Sequence, residues 1–163
     1  MPTNAVVVNS SPLITLYKSQ LIGLLPQIFS TISVPPAVWH EVTVYEADVA
    51  AQSLPASAWA IQTGTVSIHP SIAAWDLGAG ETEVLSYALS TPECTAMVDD
   101  AAARRCAVGP NIPTLGTAGM LVLAKRRKLI PSINEPIQAL SDAGLWLSRD
   151  LIDLLKRQAG EQS

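Results

Sequence analysis

The stretch Ala5-Val6-Val7-Val8, closed by Asn9-Ser10-Ser11-Pro12, constrains the fold more than any other part of the chain. Its apolar residues do not alternate with polar ones, the pattern of a strand buried on both faces. The serines and proline that follow read as a helix start. Hydroxyls can accept from free backbone N–H groups there, and proline sits where no N–H is needed. Leu13, Ile14, Leu16 and Tyr17 then recur at helical spacing. A doubly buried strand that runs into a helix opens a crossover unit, and crossover units build parallel sheets.

The same alternation continues along the chain. Leu21–Phe29 reads as a short helix and Thr31–Val34 as a second strand, and Pro35-Pro36 starts a helix through Val38, Trp39, Glu41 and Val42. Residues 48–64, rich in Ala, Ser, Gln and Pro, read as helix or loop around Trp59. Thr65–His69 alternates like a strand and stops at Pro70. Gly78-Ala79-Gly80 reads as a hinge before a helix over 81–89. Further strands are expected at Thr95–Val98 and Asn111–Leu115, with helices at 101–107 and 117–129 and two more over about 132–160. The reading is therefore α/β: a mainly parallel sheet of four to five short strands covered on both faces. With 163 residues the chain has the length of a single domain, 1–163, on which the C-terminal helices pack; from about Gln158 it reads as a loose end.

Composition excludes several classes. A net charge of −4 argues against a general basic nucleic-acid clamp, though not against a local basic patch. Two cysteines, Cys94 and Cys106, cannot staple a chain of this size and have no zinc-ligand spacing. No lysine or arginine precedes the first apolar stretch, as a signal peptide requires, and prolines break the uncharged run 19–40. A cytoplasmic protein without membrane contact is expected. Only 15% of residues are charged, and Leu151, Ile152, Leu154 and Leu155 form an apolar stripe, which predicts a two-fold homodimer.

In open parallel sheets, sites lie beyond the carboxyl ends of the strands. The polar residues placed there are Asn9 and Ser11 after the first strand and Asp99 and Asp100 after the 95–98 strand, with Glu41 and Glu81 contributed by helices. No histidine or cysteine stands at such a position, which argues against a Ser–His or Cys–His nucleophile. A set of oxygen ligands alone suits Mg²⁺ or Mn²⁺. Each residue also has a purely structural reading. Glu81 and Glu83 suit a helix's first turn, Asp99 and Asp100 suit a helix cap, and Asn9 and Ser11 suit a turn. Lys125–Lys128 reads as a cationic helix end, with phosphate contact as the minority reading, and His40 and His69 as structural histidines. Apolar neighbours favour packing for Trp39, Trp59, Trp75 and Trp146 over stacking on bases. A nucleotide-binding domain lacks support, because neither GxGxxG nor a Walker loop follows the first strand.

Taken in order, Val6–Ile14, Val34–Val42, Leu77–Glu83, Val98–Arg104, Thr114–Thr117 and Gly144–Ser148 resemble PIN-domain proteins. More specifically, they resemble the bacterial and archaeal PIN-like family of unknown function discussed beside toxin–antitoxin ribonucleases. The resemblance covers nearly the whole chain. It implies a three-layer α/β/α fold and a metal-dependent ribonuclease, the toxin component of a toxin–antitoxin pair whose antitoxin partner blocks the acidic pocket. By resemblance the acidic positions fall on Asn9, Glu41, Glu81 and then Asp100 or Asp99, holding Mg²⁺ or Mn²⁺ against an RNA substrate. Ser11, Thr114 and Thr117 match hydroxyl positions near the pocket. Arg104 and Arg105, a few residues after the acidic pair, are placed to touch an RNA backbone or equally to pair with the carboxylates. Asparagine at the first acidic position removes one negative charge, so weak metal binding is expected. The alternative is a catalytically degenerate PIN-fold binding or interaction protein.

Overall fold

Val6, Val7 and Val8 are each 0% exposed. Successive strand residues point to opposite faces, so both faces of this strand are covered. The computed structural model describes residues 3–161. Its strands are β1 (Thr3–Val8), β2 (Phe29–Val34), β3 (Ala60–Gln62), β4 (Cys94–Met97) and β5 (Thr114–Leu115), in the order β3-β2-β1-β4-β5. Every pairing is parallel, with Val6 opposite Ile32 on one side and Thr95 on the other. The β1 run thus occupies the central position that its unbroken apolar pattern predicts.

Helices make the connections: α1 (Ser10–Lys18) and α2 (Leu24–Ile28), α3 (Pro36–Thr43) and α4 (Val49–Ser53), α5 (Pro70–Ala73) and α6 (Ala79–Ser90), then α7 (Ala101–Val108). After β5 come α8 (Thr117–Arg126), α9 (Asn134–Asp142) and α10 (Arg149–Gln158). The result is a three-layer α/β/α fold with an all-parallel sheet. Ile133, Ile137, Leu140, Leu155 and Ala159 carry the last two helices into the same core as the sheet residues. Among the described residues no helix is long and apolar enough to cross a membrane.

The alternating stretch 65–69 is not a strand. The edge place beside β2 is taken earlier, by Ala60 opposite Ile32 and Gln62 opposite Val34, and Thr63 N–H closes the ladder on the Val34 carbonyl at 3.0 Å. With that edge used, Thr65, Ser67 and Ile68 face solvent, and His69 becomes the cap of α5, accepting from Ser71 N–H. The segment 48–64 resolves into α4, a turn and β3.

Lys125, Arg126 and Arg127 of the basic run at the end of α8 fasten other elements. Lys125 Nζ lies 3.2 Å from Glu161, Arg126 donates to the Gln158 carbonyl and Arg127 to that of Ile28. Glu161 also accepts from Ser132 Oγ and Ile133 N–H, so the tail expected to be loose is held as far as Glu161. Gln162 and Ser163 lie outside the described residues.

Candidate functional site

Strand order reverses at β1, with β2 on one side and β4 on the other, and ligand sites of open sheets form beyond that switch point. Asn9 leaves β1 there. Its N–H continues the ladder to the Met97 carbonyl at 3.1 Å, which sets it beside the end of β4. Asp99 and Asp100 follow β4 by two and three residues. Glu41 comes from α3 and Glu81 from the first turn of α6.

Asn9 occupies the N-cap position of α1, yet its side chain makes no capping hydrogen bond. The residue is 5% exposed, and its Oδ1 is buried without a hydrogen-bond partner. The turn-and-cap reading therefore does not account for this side chain. What it faces is visible from Gly80: a Cβ there would stand 3.2 Å from Asn9 Oδ1 and 2.8 and 3.0 Å from the two Glu41 oxygens. Only a residue without a side chain lets α6 approach so closely. Gly80 N–H donates to Glu41 Oε1 at 3.1 Å, and Ser10 Oγ donates to Oε2 at 2.5 Å.

Glu81 joins the same group. Its carboxyl is pushed above the usual glutamate range by partial burial first, then by the charges of Asp100 and Glu41 and a hydrogen bond with Asp100. Asp100 also caps α7, with Oδ2 accepting from Ala103 N–H at 2.9 Å, so capping and site readings hold together for this residue. Among the described residues no lysine or arginine forms an ion pair with Glu41, Glu81 or Asp100.

Asp99 is differently employed. Oδ1 accepts from Thr117 N–H at 2.8 Å and Oδ2 from Thr117 Oγ1 at 2.7 Å, which caps α8 from the end of β4. Thr117 is fully buried in that role. Thr114 lies in β5 and, with Asp99 and Arg104, lines a neighbouring groove. Arg105 is exposed on α7, and Ser11 is exposed on the first turn of α1 with no side-chain hydrogen bond among the described residues. The structure thus gathers Asn9, Glu41, Glu81 and Asp100, sets Asp99, Thr114, Thr117 and Arg104 alongside, and leaves Ser11 and Arg105 facing solvent.

The family model described as a PIN domain matches residues 5–161. The chain belongs to the PIN-domain family. No curated protein matches it. A PIN domain is a nuclease fold, and the family's members generally use divalent metal ions.

Whether this PIN domain's residues fit such an ion is answered by its donors. The buried, unpartnered Asn9 oxygen and the Glu81 carboxyl, raised by burial and then by the charges of Asp100 and Glu41, are oxygen donors of the kind a cation takes. Yet among the described residues no three His, Cys, Asp or Glu side chains form a ready metal cage. That donor set fits a hard cation that keeps several of its waters, as Mg²⁺ does.

Three residues of this site escape a reading by residue type. Ser10, not Ser11, reaches Glu41. Gly80 reads as a hinge, but it is buried and donates to Glu41. Glu83 reads as a charge in its own helix's first turn, whereas its Oε1 accepts from Ala37 N–H at 3.0 Å and caps α3, the helix that carries Glu41. The visible signal for Gly80 and Glu83 is their flanking of Glu81 in Gly80-Glu81-Thr82-Glu83.

Proposed function

We propose that this PIN domain is a metal-dependent ribonuclease that hydrolyses RNA phosphodiesters at the pocket of Asn9, Glu41, Glu81 and Asp100. The observation that carries the reading is the buried, unpartnered oxygen of Asn9 beside the Glu41 carboxylate. An orphaned buried acceptor is costly, and sites are where such costs persist. Those four residues would hold the ion, Mg²⁺ or Mn²⁺, with weak affinity because Asn9 brings no charge. When bound, it supplies the positive charge that an anionic phosphodiester needs and acidifies water for attack.

The protein's own groups have separable tasks. Ser10 and the Gly80 N–H fix both Glu41 oxygens. Glu81, raised above its ordinary range and hydrogen-bonded with Asp100, is the group that would give up its proton as the ion binds. Asp99, with both oxygens on Thr117, belongs to this reading as the residue that positions α8 beside the pocket. Arg104 is the cation best placed for the RNA backbone.

The toxin role in a toxin–antitoxin pair belongs to the same proposal, with an antitoxin that covers the pocket. So does a cytoplasmic, homodimeric form. Exposed Val44, Tyr45 and Val49 offer apolar surface for a second copy, while the expected stripe on α10 is split, with Leu155 buried and Leu151 and Leu154 exposed.

The experiment is cleavage of single-stranded RNA by the purified chain with Mn²⁺ or Mg²⁺. Activity that disappears in Asp100→Asn and Glu41→Gln supports the reading. The neutral Asn9 favours one alternative, a degenerate PIN-fold binding protein: wild type that is silent with either ion while Asn9→Asp cleaves would establish it.

A further inference from the structure

Beside the acidic pocket runs a groove of about 470 Å³ between β5, α7, α8 and α10, lined among others by Asp99, Arg104, Thr114, Arg126, Trp146 and Leu154. We propose that this groove carries the RNA strand away from the cleaved bond, with Trp146 as a stacking platform for a base and Arg104 and Arg126 as phosphate contacts. The inference rests on the nuclease reading and names a substrate subsite that the acidic residues alone do not define.

Trp146 is 83% exposed, the most exposed of the large hydrophobic side chains among the described residues. By contrast Trp39 and Trp59 pack against the core. An open indole at the rim of a groove has a free face, and base–aromatic stacking uses such a face without demanding a sequence. The groove's charge points the same way. Arg104 and Arg126 bring two cations against the one carboxylate of Asp99, which Thr117 holds, in a protein whose net charge is −4. Arg126 is steadied by bonds from Nε and Nη2 to the Gln158 carbonyl and keeps further N–H donors. Arg104 Nη1 lies close over Gly116, 2.9 Å from where a Cβ would stand, so glycine there leaves room for the guanidinium beside the pocket.

A second copy or an apolar helix seated in the groove would bury two guanidiniums among leucines against the single carboxylate of Asp99, at a desolvation cost. A phosphate supplies the further negative charge, and base faces suit the leucine lining. Continuity completes the case. Asp99 lines the groove and its neighbour Asp100 belongs to the acidic pocket, so one extended strand can engage both.

The test is fluorescence anisotropy of a labelled single-stranded oligoribonucleotide with the full chain in EDTA, where metal-dependent cleavage is stopped. Trp146→Ala is expected to weaken binding about 5- to 100-fold and Trp146→Phe to restore most of it. Arg104→Ala and Arg126→Gln are each expected to lower the salt slope by about one. Wild-type affinity in Trp146→Ala overturns the proposal. So does a Trp146→Ala protein whose RNA affinity is unchanged while its sedimentation shifts from dimer to monomer, which makes the groove an interface between copies. Cleavage is scored separately with Asp100→Asn: a nuclease whose RNA binding ignores Trp146 loses only the groove, and a Trp146-dependent binder that never cleaves loses only the nuclease reading.

Discussion

The Ser10 hydroxyl donates to Glu41 Oε2 across 31 residues of sequence, and it forms one of two anchors on that carboxylate, the other being the Gly80 N–H. Ser10→Ala removes a charge-assisted hydrogen bond from a partly buried pair. Stability should fall by about 1 kcal/mol and cleavage of RNA by about 5- to 10-fold, because Glu41 regains rotamer freedom. Thermal unfolding and initial rates, compared on one preparation, check both.

Gly80→Ala separates fold from site. Alanine is favoured over glycine in a helix by about 1 kcal/mol, and what its Cβ meets is the side-chain oxygens of Glu41 and Asn9 rather than backbone; those of Glu41 can be displaced at the loss of their hydrogen bonds. The melting temperature should therefore stay within about 3 °C of wild type. Metal-dependent cleavage should be lost, since Glu41 must move. A severe loss of stability would mean that Glu41 cannot yield and that the contact is structural first.

Glu81 gives the site a pH signature. Its folded pKa is raised above the ordinary 4.5, so between 4.5 and the raised value the folded state binds more protons than the unfolded chain. Stability contributed by this group therefore falls as pH rises through that window. Without metal, Glu81→Gln should melt about 1–2 °C above wild type at neutral pH and lose that advantage near the ordinary glutamate value. Cation uptake should release protons, and its affinity should rise with pH through the same window. Scanning calorimetry in EDTA at several pH values measures the first effect, and proton release in weakly buffered solution the second.

Much of the fold is legible because its signals are local. Three consecutive valines announce a strand covered on both faces, and Pro35-Pro36 announces the start of α3. Placing β3 depends instead on which segment wins the edge beside β2. Ala60–Gln62 wins over the better-patterned 65–69 through ladder bonds that periodicity cannot see. The site divides similarly. Residue type and position after a strand single out Asn9, Asp99 and Asp100, and the order of motifs adds Glu41 and Glu81. That Asp99 turns to Thr117 while Asp100 turns to Glu81 depends on side-chain direction at two adjacent positions. Ser10 and Ser11 are likewise separated only by the helical rotation between them.

Glu83 tests how α3 is held. Its carboxylate caps a helix whose own N-cap is Pro35, a residue without a side-chain acceptor. Glu83→Ala should cost about 1 kcal/mol and lower the melting temperature by about 2–4 °C. Glu83→Gln, which keeps an acceptor oxygen, should recover most of it.

The central claim is that Asn9, Glu41, Glu81 and Asp100 act as one cation-holding set. Calorimetric titration with Mn²⁺ tests it most directly, with wild type, Asn9→Asp and Asp100→Asn measured side by side. The account predicts one weak site per chain, tightened about tenfold or more by the charge that Asn9→Asp adds and abolished by Asp100→Asn. Equal Mn²⁺ affinity in all three proteins would contradict it.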